Sequence, residues 1–150
     1  MRNLSLLLFF FVLGLVVHAQ EIPEYAFAIQ IRTTSGNSSS FGKIAKVLLS
    51  NDYLLDLAGD NYIQTKRREH EFQLKTRVAF DRTTLFLTFV IEEELVTGYA
   101  HFEVATKEHY VAQYNRNSGY RKYHDAVFEE LDRIVKMIFP EAELEYLTKE

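Results

Sequence analysis

The chain has no cysteine anywhere, and its only two prolines are Pro23 and Pro140. Without cysteine there can be no disulfide framework, no thiol nucleophile and no attachment point for a lipid anchor. The fold must therefore hold through its core alone. Catalytic signatures are missing as well. No serine sits in a Gly-x-Ser-x-Gly elbow, and four of the serines crowd the stretch from Ser35 to Ser40, which has a use as a linker and helix cap. No His-x-x-x-His pair or similar close spacing is present, so the sequence offers no metal site and calls for no cofactor. Glu92-Glu93-Glu94 looks like an acid cluster, but neighbouring strand positions point to opposite faces, so it reads as a solvated turn.

A long hydrophobic run is also lacking. Leu4 to Val17 is apolar apart from Ser5 and Gly14, which is short of the roughly 20 residues a spanning helix needs. It follows a short basic start containing Arg2 and precedes Val17-His18-Ala19, with small residues where signal peptidase prefers them. Residues 1–19 therefore read as a cleaved signal peptide and residues 20–150 as a single domain with no transmembrane anchor. The formal net charge is −4, and loss of Arg2 makes the remainder one unit more acidic. Such a balance argues against general binding to nucleic acid or to anionic membranes. Export without cysteine fits the bacterial periplasm or exterior better than a small eukaryotic secreted domain, which usually carries bridges.

The chain alternates between two periodicities. Tyr25, Phe27, Ile29 and Ile31 follow a period of two and predict a strand beginning just after Pro23. Phe41, Ile44, Ala45 and Leu48 follow a helical period, with Lys43 and Lys46 on the wet side and Asn51-Asp52 as the stop. Tyr53, Leu55 and Leu57 alternate again, and the turn cluster Gly59-Asp60-Asn61 leads to Tyr62-Ile-Gln-Thr65, with Lys66 to His70 as a charged connection. Phe72 to Phe80 and Thr84 to Ile91 predict a central hairpin turning at Asp81-Arg82-Thr83. Leu95 to Val104 predicts one more strand, with Gly98 as a bulge. Tyr123, Val127, Leu131, Ile134, Val135 and Ile138 mark a second helix from about Tyr120 to Phe139, stopped by Pro140. Glu129, Glu130, Asp132, Arg133 and Lys136 fall mostly on its wet side, and Leu144 and Tyr146 share the face of a short edge strand. The sum is an α+β domain: an antiparallel sheet of four to six strands with two amphipathic helices on one face.

The unit of helix, Asp52-Tyr-Leu-Leu-Asp-Leu57, turn, Tyr62-Ile-Gln-Thr65 and basic residues, closed by a late helix over 126–139, resembles small exported α+β domains of the bacterial envelope. Among them are accessory lipoproteins of outer-membrane barrel assembly and of lipopolysaccharide transport. The similarity spans roughly residues 41 to 139. It implies a binding role in the envelope, while the missing lipid-attachment cysteine departs from those lipoproteins.

Two groups of residues are candidates for contact. Lys66, Arg67 and Arg68, with Lys75 and Arg77, form the one basic concentration in an acidic chain, suited to phosphates or carboxylates of an envelope component. Tyr110, Tyr114 and Tyr120 lie in an irregular, tyrosine-rich region, and such residues suit recognition surfaces. The leading expectation is an exported, non-enzymatic interaction domain whose partner is a protein or envelope component. A second reading is a ligand-binding or hydrolytic pocket of helix-grip type, lined by His101, Glu103, His109 or His124. A third is an oligomer formed through a free strand edge.

Overall fold

The computed structural model describes residues 20–34, 36–59, 61–73, 80–104 and 107–149. Strand β1 spans Ala26–Arg32 and is followed by helix α1, Asn37–Ser50. Next come β2 (Leu55–Gly59), β3 (Tyr62–Thr65), β4 (Arg68–Gln73), β5 (Phe80–Glu92), β6 (Leu95–Glu103) and β7 (His109–Val111). Helix α2 (Arg121–Ile138) and strand β8 (Leu144–Thr148) complete the order. The class is α+β, with every recorded strand pairing antiparallel.

The sheet has eight strands rather than four to six, ordered β2-β3-β5-β6-β1-β8, with β4 also on β5 and β7 also on β6. The added strands come from subdivision. β5 is 13 residues long, enough for two partners on one flank: β3 pairs along Thr88–Val90 and β4 along Phe80–Leu85. The two registers differ by one residue, so β3 and β4 form one line broken by a bulge at Lys66-Arg67. β6 is shared in the same way, by β1 through Leu95–Gly98 and by β7 through His101–Glu103.

The central placing expected for Thr84 to Ile91 holds, since β5 lies between β3/β4 and β6. Leu85, Leu87, Phe89 and Ile91 are buried toward the helices, and α1 and α2 both pack on β5 and on each other. Phe128, Leu131, Ile134 and Val135 of α2 meet Ile29 and Ile31 of β1 and Val96 and Phe102 of β6 in a single core. Burying each such side chain contributes about 1.5–3 kcal/mol.

Six expectations need correction. Lys66 to His70 is not all connection, because Arg68, Glu69 and His70 open β4 and pair with β5. Asp81, Arg82 and Thr83 lie inside β5, opposite Phe72, Glu71 and His70, so they do not form the turn; residues 74–79 of the expected first strand lie outside the described residues. Gly98 is no bulge, because the β5–β6 register runs unbroken through it. It is a close-approach site instead: a Cβ there would lie 3.1 Å from Phe89 and 3.2 Å from Leu131. The alternation in β1 is interrupted by a bulge between Ala26 and Ala28, which leaves Phe27 half-buried while Ala26, Ile29 and Ile31 go inside. The serines before α1 do not cap it. Asn37 to Ser40 form its first turn, and Gly36 stands at the N-cap with no side-chain hydrogen bond. Finally, Glu130 and Asp132 are buried, although their helical positions look wet.

That last departure has a clear cause. Tyr53 is fully buried and donates its hydroxyl to Glu130 Oε1 at 2.7 Å, while Arg133 grips the same carboxylate at 2.7 and 2.8 Å. Burial works to raise the Glu130 pKa, but the hydrogen bonds from Arg133 and Tyr53 prevail and hold it below the usual range. Tyr146 of β8 likewise reaches back to Asp132 at 2.7 Å, and Lys136 bonds the other oxygen at 2.7 Å. Among the described residues, no helix is long and apolar enough to cross a membrane.

Candidate functional site

Strand parity divides the sheet into two faces. Residues opposite the helix-facing set point to the other side, where no described helix lies. Their pairings align them in cross-strand rows, the contact unit of a sheet. One row runs Tyr62, Val90, Thr97, Gln30 and Glu145; a second runs Leu57, Gln64, Thr88 and Tyr99; a third runs Phe86, His101 and Val111. The rows are tied sideways, with Gln30 Nε2 donating to Thr97 Oγ1 at 3.3 Å and the Tyr62 hydroxyl donating to Gln64 Oε1 at 2.9 Å. Tyr62, Gln64, Val90 and Tyr99 are half-buried, so each offers surface while its base is held by neighbours. The middle of this open face is neutral, polar and aromatic, and its charges stand at the rim: Arg32, Arg67, Glu69, Glu71, Arg82, Glu92, Glu103 and Glu145.

One corner is more specialised. His101 stacks on Phe86 with centroids 4.5 Å apart and planes 2° from parallel, and His109 Nε2 lies 3.2 Å from His101 Nδ1. Arg67 sits over the same Phe86 ring at 5.6 Å and pairs with Glu103 at 2.8 Å. Burial, helped by the neighbouring His109, brings the His101 pKa down to about 4, so this ring is neutral near pH 7. Its Nε2 is buried with no hydrogen-bond partner among the described residues. Among the described residues no group of three or more His, Asp or Glu side chains is placed to hold a metal ion.

The basic run does not form one patch. Lys66 is exposed at the β3–β4 bulge, and its backbone N–H donates to Leu54 O at 2.7 Å. Arg67 turns to the open face. Arg68 turns the opposite way, with its guanidinium 4.0 Å from the centre of the Tyr53 ring and Nη1 donating to Asn51 O at 2.9 Å. Consecutive strand residues must diverge in this manner. Lys75 and Arg77 lie outside the described residues.

The tyrosines form a lid on the core. Tyr110, Tyr114 and Tyr120 all pack against the buried cluster. Tyr110 stacks on Phe102 at 5.3 Å and contacts Tyr120 at 5.4 Å, and Tyr114 contacts Phe128 at 6.2 Å. A hydrogen bond to Glu108 pushes the Tyr110 pKa up to about 12. The polar lining imagined for a pocket is also divided. His101, Glu103 and His109 belong to the open face, whereas His124 is buried on the helix side against Phe102, with Nδ1 accepting from the Gln113 N–H at 3.1 Å. A groove of about 620 Å³ lies at the β1–β8 end of the open face, lined by Gln30, Arg32 and Glu145 together with Glu21 and Glu143.

The open-face residues Gln30, Gln64, Thr88 and Thr97 were not singled out from the sequence. A signal existed in β6, where Leu95, Thr97, Tyr99, His101 and Glu103 alternate strictly with Val96, Gly98, Ala100 and Phe102. The second set is buried throughout, and of the first only Thr97 is, which leaves the first for the other face.

No family model matches the chain. No curated protein matches it either. One solved structure with a similar fold is a TBP-like protein from Parabacteroides distasonis ATCC 8503, at 12% identity and a TM-score of 0.51. The match covers 82% of this chain and 98% of that one. At such low identity the likeness concerns the fold alone.

Proposed function

We propose that the protein is an exported, non-enzymatic interaction domain of the bacterial envelope that binds its partner on the open face of the sheet. The observation carrying this reading is the arrangement of that face: aligned rows of neutral polar and aromatic side chains, braced at their bases, with the charges at the rim. Interfaces have this composition, with tyrosine enriched and charge depleted at the centre. The contiguous apolar cluster behind the sheet agrees with a binding module better than with an enclosed reaction site. Export is supported by the three-part character of residues 1–19, and an envelope setting by the resemblance of residues 41 to 139 to small envelope domains. The partner is a protein or another envelope component with a neutral, polar contact surface.

The test is quantitative capture from envelope extract with the tagged chain from Gln20 onward. A Tyr62→Ser/Tyr99→Ser variant removes the aromatic centre of the face, and a Lys66→Ser/Arg67→Ser variant removes the bulge charges. The partner should be lost with the first and retained, though weakened, with the second. Loss with the second alone would return the contact to the basic bulge, and capture unaffected by either would remove this face from consideration.

A further inference from the structure

Two imidazoles meet at the β6–β7 corner of the open face. His101 lies in β6 and His109 opens β7, and the register sets them diagonally, with Glu103 opposite His109 and Val111 opposite His101. Residues on such a diagonal share a face and lie within reach of long side chains. His101 Nδ1 and His109 Nε2 consequently stand 3.2 Å apart. The His101 ring is held by its stack on Phe86, whereas His109 is exposed and gives access from solvent. Zinc–imidazole bonds are about 2.0–2.1 Å long, so two of them meeting at an octahedral or tetrahedral angle hold their nitrogens about 2.8–3.4 Å apart. The separation of this pair falls inside that span.

We propose that His101 Nδ1 and His109 Nε2 together bind one divalent transition-metal ion of the zinc, nickel and copper class. Imidazole nitrogen suits these ions and not magnesium or calcium, which take oxygen ligands. In the metal-free chain one ring N–H donates to the other ring nitrogen across the same 3.2 Å. Binding moves that proton to the far nitrogen of its own ring, so that both lone pairs face the ion. Glu103 brings a carboxylate to the same face beside His109, paired with Arg67 at 2.8 Å. An ion pair so open to solvent on the Arg67 side is worth little, which leaves the carboxylate free to answer a bound cation. Two protein ligands are fewer than the four of a structural zinc site, and among the described residues nothing braces a proton on His101 Nε2. Both features place the expected affinity in the micromolar range rather than the nanomolar one, with the remaining coordination positions open to solvent. A separation of eight residues matches no local metal motif, so only the register discloses the pair. This inference does not depend on whether the open face meets a partner.

Titration of the untagged chain from Gln20 onward with zinc chloride, followed by calorimetry and by NMR of the histidine ring nitrogens, tests it; the core is contributed by residues from Ile22 on. One ion per chain should bind at micromolar concentration, displacing the Nδ1 signal of His101 and the Nε2 signal of His109. His109→Gln should raise the dissociation constant by about tenfold or more. His101→Phe keeps a ring stacked on Phe86 and should do the same, while His70→Asn should leave binding unchanged. Far-UV circular dichroism checks folding, and the exposed His109 supplies the reading should the change at His101 disturb it. No saturable binding below about 1 mM, binding that a folded variant at His101 or His109 leaves intact, or displaced signals from other histidines overturns the inference and marks any bound zinc as an adventitious ion only.

Discussion

Replacing Gly98 by alanine probes how closely α2 is seated on the sheet. The new Cβ would lie 3.1 Å from Phe89 Cε1 and 3.2 Å from Leu131 Cδ1, inside ordinary contact distance, and both neighbouring side chains are fully buried. Neither has open space to retreat into, so the methyl must displace the helix or strain a rotamer, at about 1–3 kcal/mol. Gly98 does not have a positive φ, so the backbone itself accepts alanine. Reduced entropy of the unfolded chain returns about 0.4–1 kcal/mol. The net expectation is a loss of about 1–2 kcal/mol, read as a fall of roughly 0.5–1 M in the urea midpoint. Gly42 supplies the opposite case. It is exposed on α1 with nothing within 4 Å of a built Cβ, so Gly42→Ala should stabilise by about 0.5–1 kcal/mol. If Gly98→Ala proved as stabilising as Gly42→Ala, the close seating of Leu131 over Phe89 would be wrong.

Other consequences are equally direct. Tyr53→Phe deletes a buried hydrogen bond to a charged acceptor and should cost about 1.5–3 kcal/mol in chemical denaturation. Glu93 holds a φ of 46° in the two-residue β5–β6 turn, so Glu93→Asn should raise stability by about 0.5–1 kcal/mol in the same assay. Burial, with Arg116 adding to it, brings the His124 pKa down to about 4, below its value in the unfolded chain. The neutral ring therefore contributes stability that is complete above about pH 6.5 and lost as pH falls toward 4, on the order of 1–3 kcal/mol. Denaturation profiles across that window should flatten in His124→Gln. Glu130, whose pKa is lowered, acts in a more acidic range, with its contribution complete above the unfolded carboxylate pKa and lost as pH drops through its folded value.

Much of the architecture was legible because burial leaves a periodic trace. The stripe of α2, the alternation of β6 and the apolar run of β5 each name their element, and from them follow the α+β class and both helices. Where legibility failed, a long-range contact overrode a local pattern. Glu130 and Asp132 occupy wet positions on the helical wheel, but Tyr53, from the connection before β2, and Tyr146, from β8, reach across and cover them. The basic run at 66–68 looked like one patch because sequence adjacency hides strand parity, and parity sends Arg67 and Arg68 to opposite faces. Asp81 to Thr83 carry turn chemistry, yet pairing with His70 to Phe72 keeps them extended. The tyrosines at 110, 114 and 120 were read as a contact surface, and their place on the core depends on Phe102 and Phe128, which no local window contains. The open face escaped notice for a related reason. Its members are scattered over β1, β3, β5 and β6, and only the registers bring Tyr62, Val90, Thr97 and Gln30 into one row.

The central claim concerns which side of the sheet meets the partner, and site-directed photocrosslinking in intact cells tests it directly. A photoreactive amino acid replaces Tyr99 on the open face in one strain and Lys43 on the exposed side of α1 in another. A discrete crosslinked product from position 99, absent from position 43, is the predicted result. A product from position 43 with none from position 99 would place the partner on the helical layer and contradict the account.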